Sequence, residues 1–367
     1  MTANPRTVKA PLGLLLFLFG IMGLTQLYAA EQSQTAFQPK GMWIWDNWFI
    51  HDGERWHAFY LQLPKAVGLE RRWKDNDPYK HVGHAISTNL VDWQDAGPAL
   101  CALSGTWNDR HIATGSVLRH EGRWWMFFTG RGRQGDGVGL ALSDDLMTWK
   151  TEPRPVFSLA DTFSKNGEAP FESQWEGKPR RWVGISDPYV YPEPVDGWIY
   201  LTLCSRILDV PIEESGCLTM LRSRDLRHWE PAGIVAWPRC FERMETPQIW
   251  PREGRWYCSF GGVLTEPWAA KNQASFPDAV RGKRSHQNYC FVLSDIQQSA
   301  RADDLHHIAA AAGNYIMKVL KQPNGSDVAL FTSTDARGTC LSQPYSVRYL
   351  ANGELQLERM PRPDVTK

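Results

Sequence analysis

The sequence lacks an excess of charge of either sign. Its 40 lysine and arginine residues balance 40 aspartate and glutamate residues over 367 positions. No basic stripe runs along it, so nucleic acid is excluded as a partner, because neutralising a phosphate backbone takes clustered cations. Cysteine is sparse too. The seven (Cys101, Cys204, Cys217, Cys240, Cys258, Cys290, Cys340) never fall into CxxC spacing, which argues against a zinc site. No EF-hand-type loop is present either, and no metal or cofactor is expected. Cys204 with Cys217 is a candidate disulfide, but burial of all seven as small hydrophobes is at least as good a reading.

Long apolar runs are also missing, apart from Leu12–Leu24 near the start. That run is shorter than the roughly 20 residues a membrane span needs. Arg6 and Lys9 precede it and Ala29 and Ala30 follow it. This is the layout of a secretory signal peptide over residues 1–30, with Leu27 and Tyr28 departing from the usual small-residue site. The expectation is a secreted or periplasmic protein with no membrane attachment after cleavage. Helical periodicity is scarce as well: only "SARADDLHHIAAAAG" (Ser299 to Gly313) reads as a helix of any length. No Pro/Ser/Gly-rich linker divides the chain, so one domain is expected from about Gly41 to the C-terminus.

What the chain has is aromatics and repetition. Eighteen tryptophans suit either cores or the walls of concave sites. Three segments share one phrase: "GHAISTNLVDWQDAGPAL", "GLALSDDLMTWKTEPRPVF" and "LTMLRSRDLRHWEPAGIV". Each runs from an apolar strand through Ser and an Asn/Asp-Leu turn to a tryptophan (Trp93, Trp149, Trp229). A second phrase precedes each and recurs later: "DGERWHAFYLQ", "EGRWWMFFTG", "DGWIYLTLCS" and "EGRWYCSFGG". Gly-turns leading into alternating aromatic strands are a hairpin signature. "GSDVALFTSTD" is a degenerate late copy. Repeated hairpins of this kind predict the blades of an all-β propeller.

Acids stand where blades begin. In "GMWIWDNWFIHDGERWHAFYLQLP", Asp46 sits amid Trp43, Trp45 and Trp48. An idle charge there would cost several kcal/mol on desolvation, on the order of any unpaired buried polar group. "GISDPYVYPEPVDGWIYL" opens another blade at Asp187, and "RMETPQIWPREGRWYCSF" the next at Glu245. Propeller blades direct their first strands at a common axis, so these three acids are expected to meet in one pocket. Like charges held close raise one pKa and keep one acid protonated. Paired carboxylates flanking a bond are the arrangement of glycoside hydrolysis.

These motifs resemble glycoside hydrolase families 32 and 68, the invertases, fructanases and levansucrases. "HVGHAISTNLVDWQDAGPAL" is similar to the segment after the family 32 nucleophile, and "ATGSVLRHEGRWWMFFTG" to that family's Ser-Gly-Ser segment. "WDNW" resembles the family 68 nucleophile motif. The resemblance covers roughly Trp43 to Gly262. It implies a five-bladed propeller and a retaining enzyme on β-fructosides, with Asp46 the nucleophile, Glu245 the acid/base and Asp187 the group that binds fructosyl hydroxyls. Trp45, Asn47 and Trp48 would line the sugar pocket, with Gln62 and Ser116 near it. The family's Arg-Asp-Pro is Ser186-Asp187-Pro188 here, so Ser186 stands where an arginine normally meets the sugar. A single propeller domain without the C-terminal β-sandwich usual in family 32 is expected. An arabinoside-cleaving propeller glycosidase of the family 43 kind, or a non-catalytic carbohydrate-binding propeller, remain alternatives.

Three other stretches carry weaker signals. His81 and His84 in "HVGH" look like a metal pair, but a strand start explains them better without a third ligand nearby. "GRGRQGDGVG" (Gly130 to Gly139) has no helix after it to make a phosphate loop, and a mobile loop over the pocket is expected. "LERRWKDNDPYKH" (Leu69 to His81) reads as a solvated rim segment that could meet a leaving-group sugar.

Overall fold

The computed structural model describes residues 37–68, 81–133, 135–158 and 171–361. The signal-peptide segment and most of "LERRWKDNDPYKH" lie outside these. The strands form five antiparallel sheets in chain order. Blade one holds β1 (Met42–His51), β2 (Trp56–Pro64), β3 (His81–Ser87) and β4 (Gln94–Cys101). Blade two holds β5 (His111–His120), β6 (Arg123–Gly132), β7 (Gly135–Ser143), β8 (Lys150–Thr151) and β9 (Phe157–Ser158). Blade three runs through β10 (Phe171–Trp175), β11 (Lys178–Val190), β12 (Ile199–Ile207), β13 (Gly216–Ser223) and β14 (Glu230–Ala236). Blade four has β15 (Arg243–Arg252), β16 (Arg255–Val263), β17 (Gln287–Leu293) and β18 (Leu305–Ile308). Blade five has β19 (Tyr315–Lys321), β20 (Asp327–Asp335), β21 (Gly338–Leu341), β22 (Tyr345–Tyr349) and β23 (Leu355–Arg359).

β1, β5, β11, β15 and β19 pack side by side around a central axis, and β19 returns to β1. The ring is closed by the bridge between Phe37 and Leu341 and by Lys65 Nζ donating to the Arg337 carbonyl at 2.9 Å. This is a five-bladed β-propeller.

The repeated tryptophan turn has a local cause and a long-range use. Asn89 Oδ1 accepts from the amides of Val91 and Asp92, and Asp145 and Asp225 do the same in the next two blades. Leu90, Leu146 and Leu226 take left-handed φ of 63°, 62° and 61°. Each following indole then donates to that leucine's carbonyl at 3.0–3.1 Å. So fixed, Trp149 stands edge-on to Phe59 of the preceding blade and Trp229 edge-on to Phe127 of the blade before it. The turn therefore holds blade to blade. Replacing Asn89 by alanine orphans two amides and should cost about 1 kcal/mol, as for a lost helix cap; a urea melt would read it, and Asn89→Asp should recover most of the loss.

Three expectations are corrected. Residues 299–313 are not a helix: they form a 3-10 turn over Ala302–Asp304 and then β18, which pairs with β17 through Phe291↔Leu305 and Asn288↔Ile308. The alanine run favours a helix intrinsically, but Leu305 and Ile308 are buried and fill the blade edge. Tertiary pairing wins over propensity. The one α-helix among the described residues is α1 (Glu266–Asn272), a short connection after β16. Second, Gly130–Gly139 is no loop over the pocket but the end of the β6–β7 hairpin, paired down to Gly132↔Gly135. Its glycines make room: a Cβ on Gly130 would sit 2.3 Å from the Trp107 ring, and one on Gly132 1.7 Å from the Trp107 carbonyl. Third, of the two readings of the cysteines the disulfide is not formed: Cys204 and Cys217 are both free thiols, as are the other five, five of the seven being buried.

Candidate active site

A break in strand pairing recurs on all five inner strands. It falls between Trp45 and Asn47, Ile112 and Gly115, Ser186 and Tyr189, Glu245 and Gln248, and Tyr315 and Met317. On four of them the bulge holds a residue with left-handed φ: Asp46 at 49°, Asp187 at 56°, Thr246 at 45° and Ile316 at 59°. Aspartate tolerates that region better than most non-glycine residues, while a β-branched residue there is strained. The bulge re-aims side chains out of the regular alternation. Asp46 and Asp187 are turned in by their own kinks, and Glu245 sits immediately before one.

The three acids consequently meet. Asp46, Asp187 and Glu245 line one cavity of about 480 Å³ together with Trp45, Thr114, Arg131, Ser186, Cys204 and Arg243. A second cavity of about 360 Å³ shares Trp45, Asp46 and Glu245 and continues to His286, Asn314, Tyr315 and Thr332. Asp46 and Glu245 thus stand on the divide between two lobes.

Each carboxylate has its own partners. Thr114 Oγ1 donates to Asp46 Oδ2 at 2.8 Å. The Thr246 amide donates to Asp187 Oδ2 at 2.9 Å, and the Asp187 amide donates to Thr129 Oγ1 at 2.9 Å. Tyr315 Oη donates to Glu245 Oε2 at 2.9 Å, and Arg243 pairs with Glu245 Oε1 at 3.3 Å. Burial, then repulsion from Asp187 and Glu245, pushes Asp46 up to about 7 against the opposing pull of Thr114 and Lys318. Burial also raises Asp187, opposed by the Thr246 amide and Lys318. Glu245 is raised by burial, with Arg243 drawing it back and Asp187 adding to the rise. Such a cluster retains a proton where isolated carboxylates would have lost theirs.

The other sequence-predicted residues separate into two groups. Trp45 and Ser186 line the acid cavity. Asn47 does not: it is buried, with Oδ1 accepting from Thr332 Oγ1 of blade five at 2.6 Å. Trp48 and Ser116 line a different cavity, toward the far ends of the inner strands with Tyr189 and Gln248. Ser116 Oγ accepts from the Val190 amide at 3.0 Å and braces blade three. Gln62 is buried against His81, nitrogen to nitrogen at 2.7 Å. For Asn47 and Trp48 the reason is the bulge at Asp46, past which the strand alternation resumes in a new phase, whereas Gln62 lies on the second strand of the blade. His84 belongs to a buried relay, 2.8 Å from His57, which lies 3.0 Å from Asp52. No cluster of three metal-ligating side chains occurs among the described residues.

Thr114, Arg131, Arg243, Tyr315 and Lys318 were not anticipated as partners of the acids. Lys318 carried a readable signal, a cation in the middle of the apolar strand "YIMKVLK", apart from the exposed Lys321 at its end. Thr114 stands in the segment similar to the family 32 Ser-Gly-Ser motif, and the remaining three are single polar residues in strands that only the blade arrangement singles out.

A five-bladed propeller that gathers three part-buried carboxylates in one lobe, two of them shared with the adjoining lobe, has the architecture of a propeller glycosidase. The chain belongs to the glycosyl hydrolases family 32, whose N-terminal domain profile matches residues 36–251. A Vibrio cholerae protein described as a probable sucrose-6-phosphate hydrolase is 34% identical over 98 residues, 26% of this chain and 16% of that protein. The matched segment is thus a small part of the curated relative's length. Among solved structures, a Bombyx mori family 32 beta-fructofuranosidase aligns with TM-score 0.65 at 16% identity, covering 92% of this chain and 69% of that one. The sucrose-6-phosphate hydrolase of Lactobacillus gasseri aligns with TM-score 0.64 at 17% identity, over 91% and 66%. A thermostable family 43 glycoside hydrolase gives 0.58 at 13% identity, over 90% and 98%. These likenesses show the shared propeller.

Proposed function

We propose that this protein is a retaining β-fructosidase acting on sucrose or fructo-oligosaccharides outside the cytoplasm. The carrying observation is the position of Asp46 and Glu245 on the ridge between two lobes. A glycoside lying across it puts one sugar in each lobe and the scissile bond between the two carboxyl groups. The fructosyl unit takes the lobe that contains Asp187, whose carboxylate accepts hydrogen bonds from ring hydroxyls. Arg131, a wall of that same lobe, gives it a guanidinium although Ser186 stands at the motif position.

Thr114 occupies Asp46 Oδ2, so Oδ1 is the attacking oxygen. In the first step Glu245 gives its proton to the glycosidic oxygen. The bond from that oxygen to the anomeric carbon breaks as Asp46 Oδ1 bonds to the carbon. In the second, Glu245 takes a proton from water, the water oxygen attacks the same carbon, and Asp46 leaves as carboxylate. A sugar hydroxyl in place of that water gives fructosyl transfer. The positive charge that develops at the anomeric centre is stabilised by the remaining carboxylates. Export rests on the signal-peptide pattern over residues 1–30.

Incubation with sucrose, inulin, levan and arabino-oligosaccharides tests the assignment. Fructose release with net retention supports it. Arabinose release with inversion points to the family 43 type of reaction, and binding without turnover to a carbohydrate-binding propeller. Thr114→Val supplies a finer check. It removes the donor that favours ionised Asp46, so the acid limb of kcat/KM should move to higher pH, with about a tenfold loss at neutral pH, the worth of one hydrogen bond to a charged group.

A further inference from the structure

Blade five contributes a cation that the reaction scheme above leaves unused. Lys318, in the middle of β19, is 4% exposed and is the only buried lysine or arginine among the described residues. Its Nζ donates to the carbonyl oxygen of Thr246 at 2.6 Å and of Pro247 at 3.3 Å. Removing an ammonium group from water costs several kcal/mol unless charge and hydrogen bonds compensate. Two neutral carbonyls do not supply the charge. The carboxylates do: Asp187 and Asp46 are the acids that act on Lys318, and it acts on both in return. The other groups facing it are the Tyr189 ring, 6.0 Å from Nζ, and the Cys258 thiol of β16. Glu245 has its own cation in Arg243.

We propose that Lys318 is a positioning residue of this reaction: bonded to the Thr246 and Pro247 carbonyls, it pins the kink that follows Glu245 and sets a positive charge close to Asp46 and Asp187. It rests on the fructosidase reading for the roles of those acids. Two consequences differ in kind. The hydrogen bonds fix the direction in which the acid/base leaves its strand, a matter of geometry. The charge favours the ionised nucleophile, a matter of electrostatics. Burial lowers the ammonium to about 8, with Asp187 and Asp46 resisting the fall. The cation is therefore present while Asp46 titrates and is lost above pH 8, when its support of the carboxylates disappears.

The test compares wild type with Lys318→Met and Lys318→Arg, using the pH profile of fructose release and carboxyl carbon NMR of Asp46, assigned with Asp46→Asn. In Lys318→Met, both the Asp46 titration and the acid limb of kcat/KM should move up by about one pH unit or more, the effect of one nearby opposite charge. The value of kcat should fall more than tenfold with KM little changed. Lys318→Arg should restore the limb but not the full kcat, because a guanidinium cannot repeat the two carbonyl contacts. If Lys318→Met does not fold, wild type alone decides: the Asp46 signal should show a second inflection at the pH where the Lys318 side-chain signals titrate. An unmoved titration and limb, or no second inflection, overturns the proposal. A moved titration in a protein that releases no fructose would instead sink the fructosidase reading and leave the role of Lys318 as a charge partner standing.

Discussion

Asp46→Ala should lower fructose release by on the order of 10⁵-fold, the scale seen when an enzyme loses the group that forms its covalent intermediate. KM should change little, because sugar binding rests on the lobes. Azide should rescue the variant. It fits the space left by the carboxylate, attacks the anomeric carbon from the same face and yields a fructosyl azide of inverted configuration. A residual rate within tenfold of wild type, or no azide adduct, would remove Asp46 from the nucleophile role. A stability effect of opposite sign should accompany the loss. Asp46 titrates at about 7 in the fold against an ordinary value of 3.8. A raised carboxyl pKa means that the fold is favoured at low pH and loses that contribution as pH climbs through the interval to about 7. Asp46→Asn has no such charge to bury, so its Tm advantage over wild type should be near zero below pH 4 and grow toward neutrality.

The class of fold was legible because propeller blades repeat a local instruction. Ser, Asn or Asp, Leu and Trp in fixed order make the same turn three times, and backbone chemistry alone specifies it. The acids were legible for a related reason. A carboxylate inside "MWIWDNWFIH" contradicts its strand unless the fold puts it somewhere special, and the sequence shows that contradiction directly. Local rules break at functional sites, which is why such breaks are informative.

The neighbours of the acids were not legible. Regular alternation places Trp48 on the face of Asp46, but a bulge changes the phase of the strand, and no motif announces a bulge. Asn47 ends up bonded to Thr332, 285 positions away in sequence. Such a contact depends on ring closure between the first and last blades, which local pattern cannot express. Blade five was obscured for another reason: its approach, residues 299–313, has helix-favouring composition, and the edge of β17 draws it into a strand. With that stretch read as a helix, Tyr315 and Lys318 had no assigned place, although one binds Glu245 and the other the strand that bears it. Ser186 stands at the motif arginine's position, and Arg131 lines the same cavity from a different blade and from a hairpin whose glycines suggested a loop.

Glu245→Gln should separate the two chemical steps. The glucose of sucrose leaves poorly as an alkoxide, so losing the proton donor should lower sucrose turnover about 10³- to 10⁴-fold, the upper range for general acid catalysis. A nitrophenyl fructoside, whose leaving group needs no proton, should still load Asp46. The second step would then stall for want of a base, fructosyl-enzyme should accumulate and be visible by mass spectrometry, and azide should release it with retained configuration. The pH profile carries an independent sign. Asp46 must be ionised, so kcat/KM falls as pH drops below about 7. Glu245 must be protonated for the first step, and burial raises its pKa, so kcat/KM also falls as pH rises through that raised value. Wild type should therefore show a bell-shaped profile, and Glu245→Gln acting on the nitrophenyl substrate should keep the acid limb and lose the alkaline one. Arg243→Gln gives the complementary result. It removes the cation that draws the Glu245 pKa down, so the alkaline limb should move upward while the acid limb set by Asp46 stays in place. An alkaline limb that persists in Glu245→Gln would assign the proton to another group, and the ridge between the lobes would need a different acid.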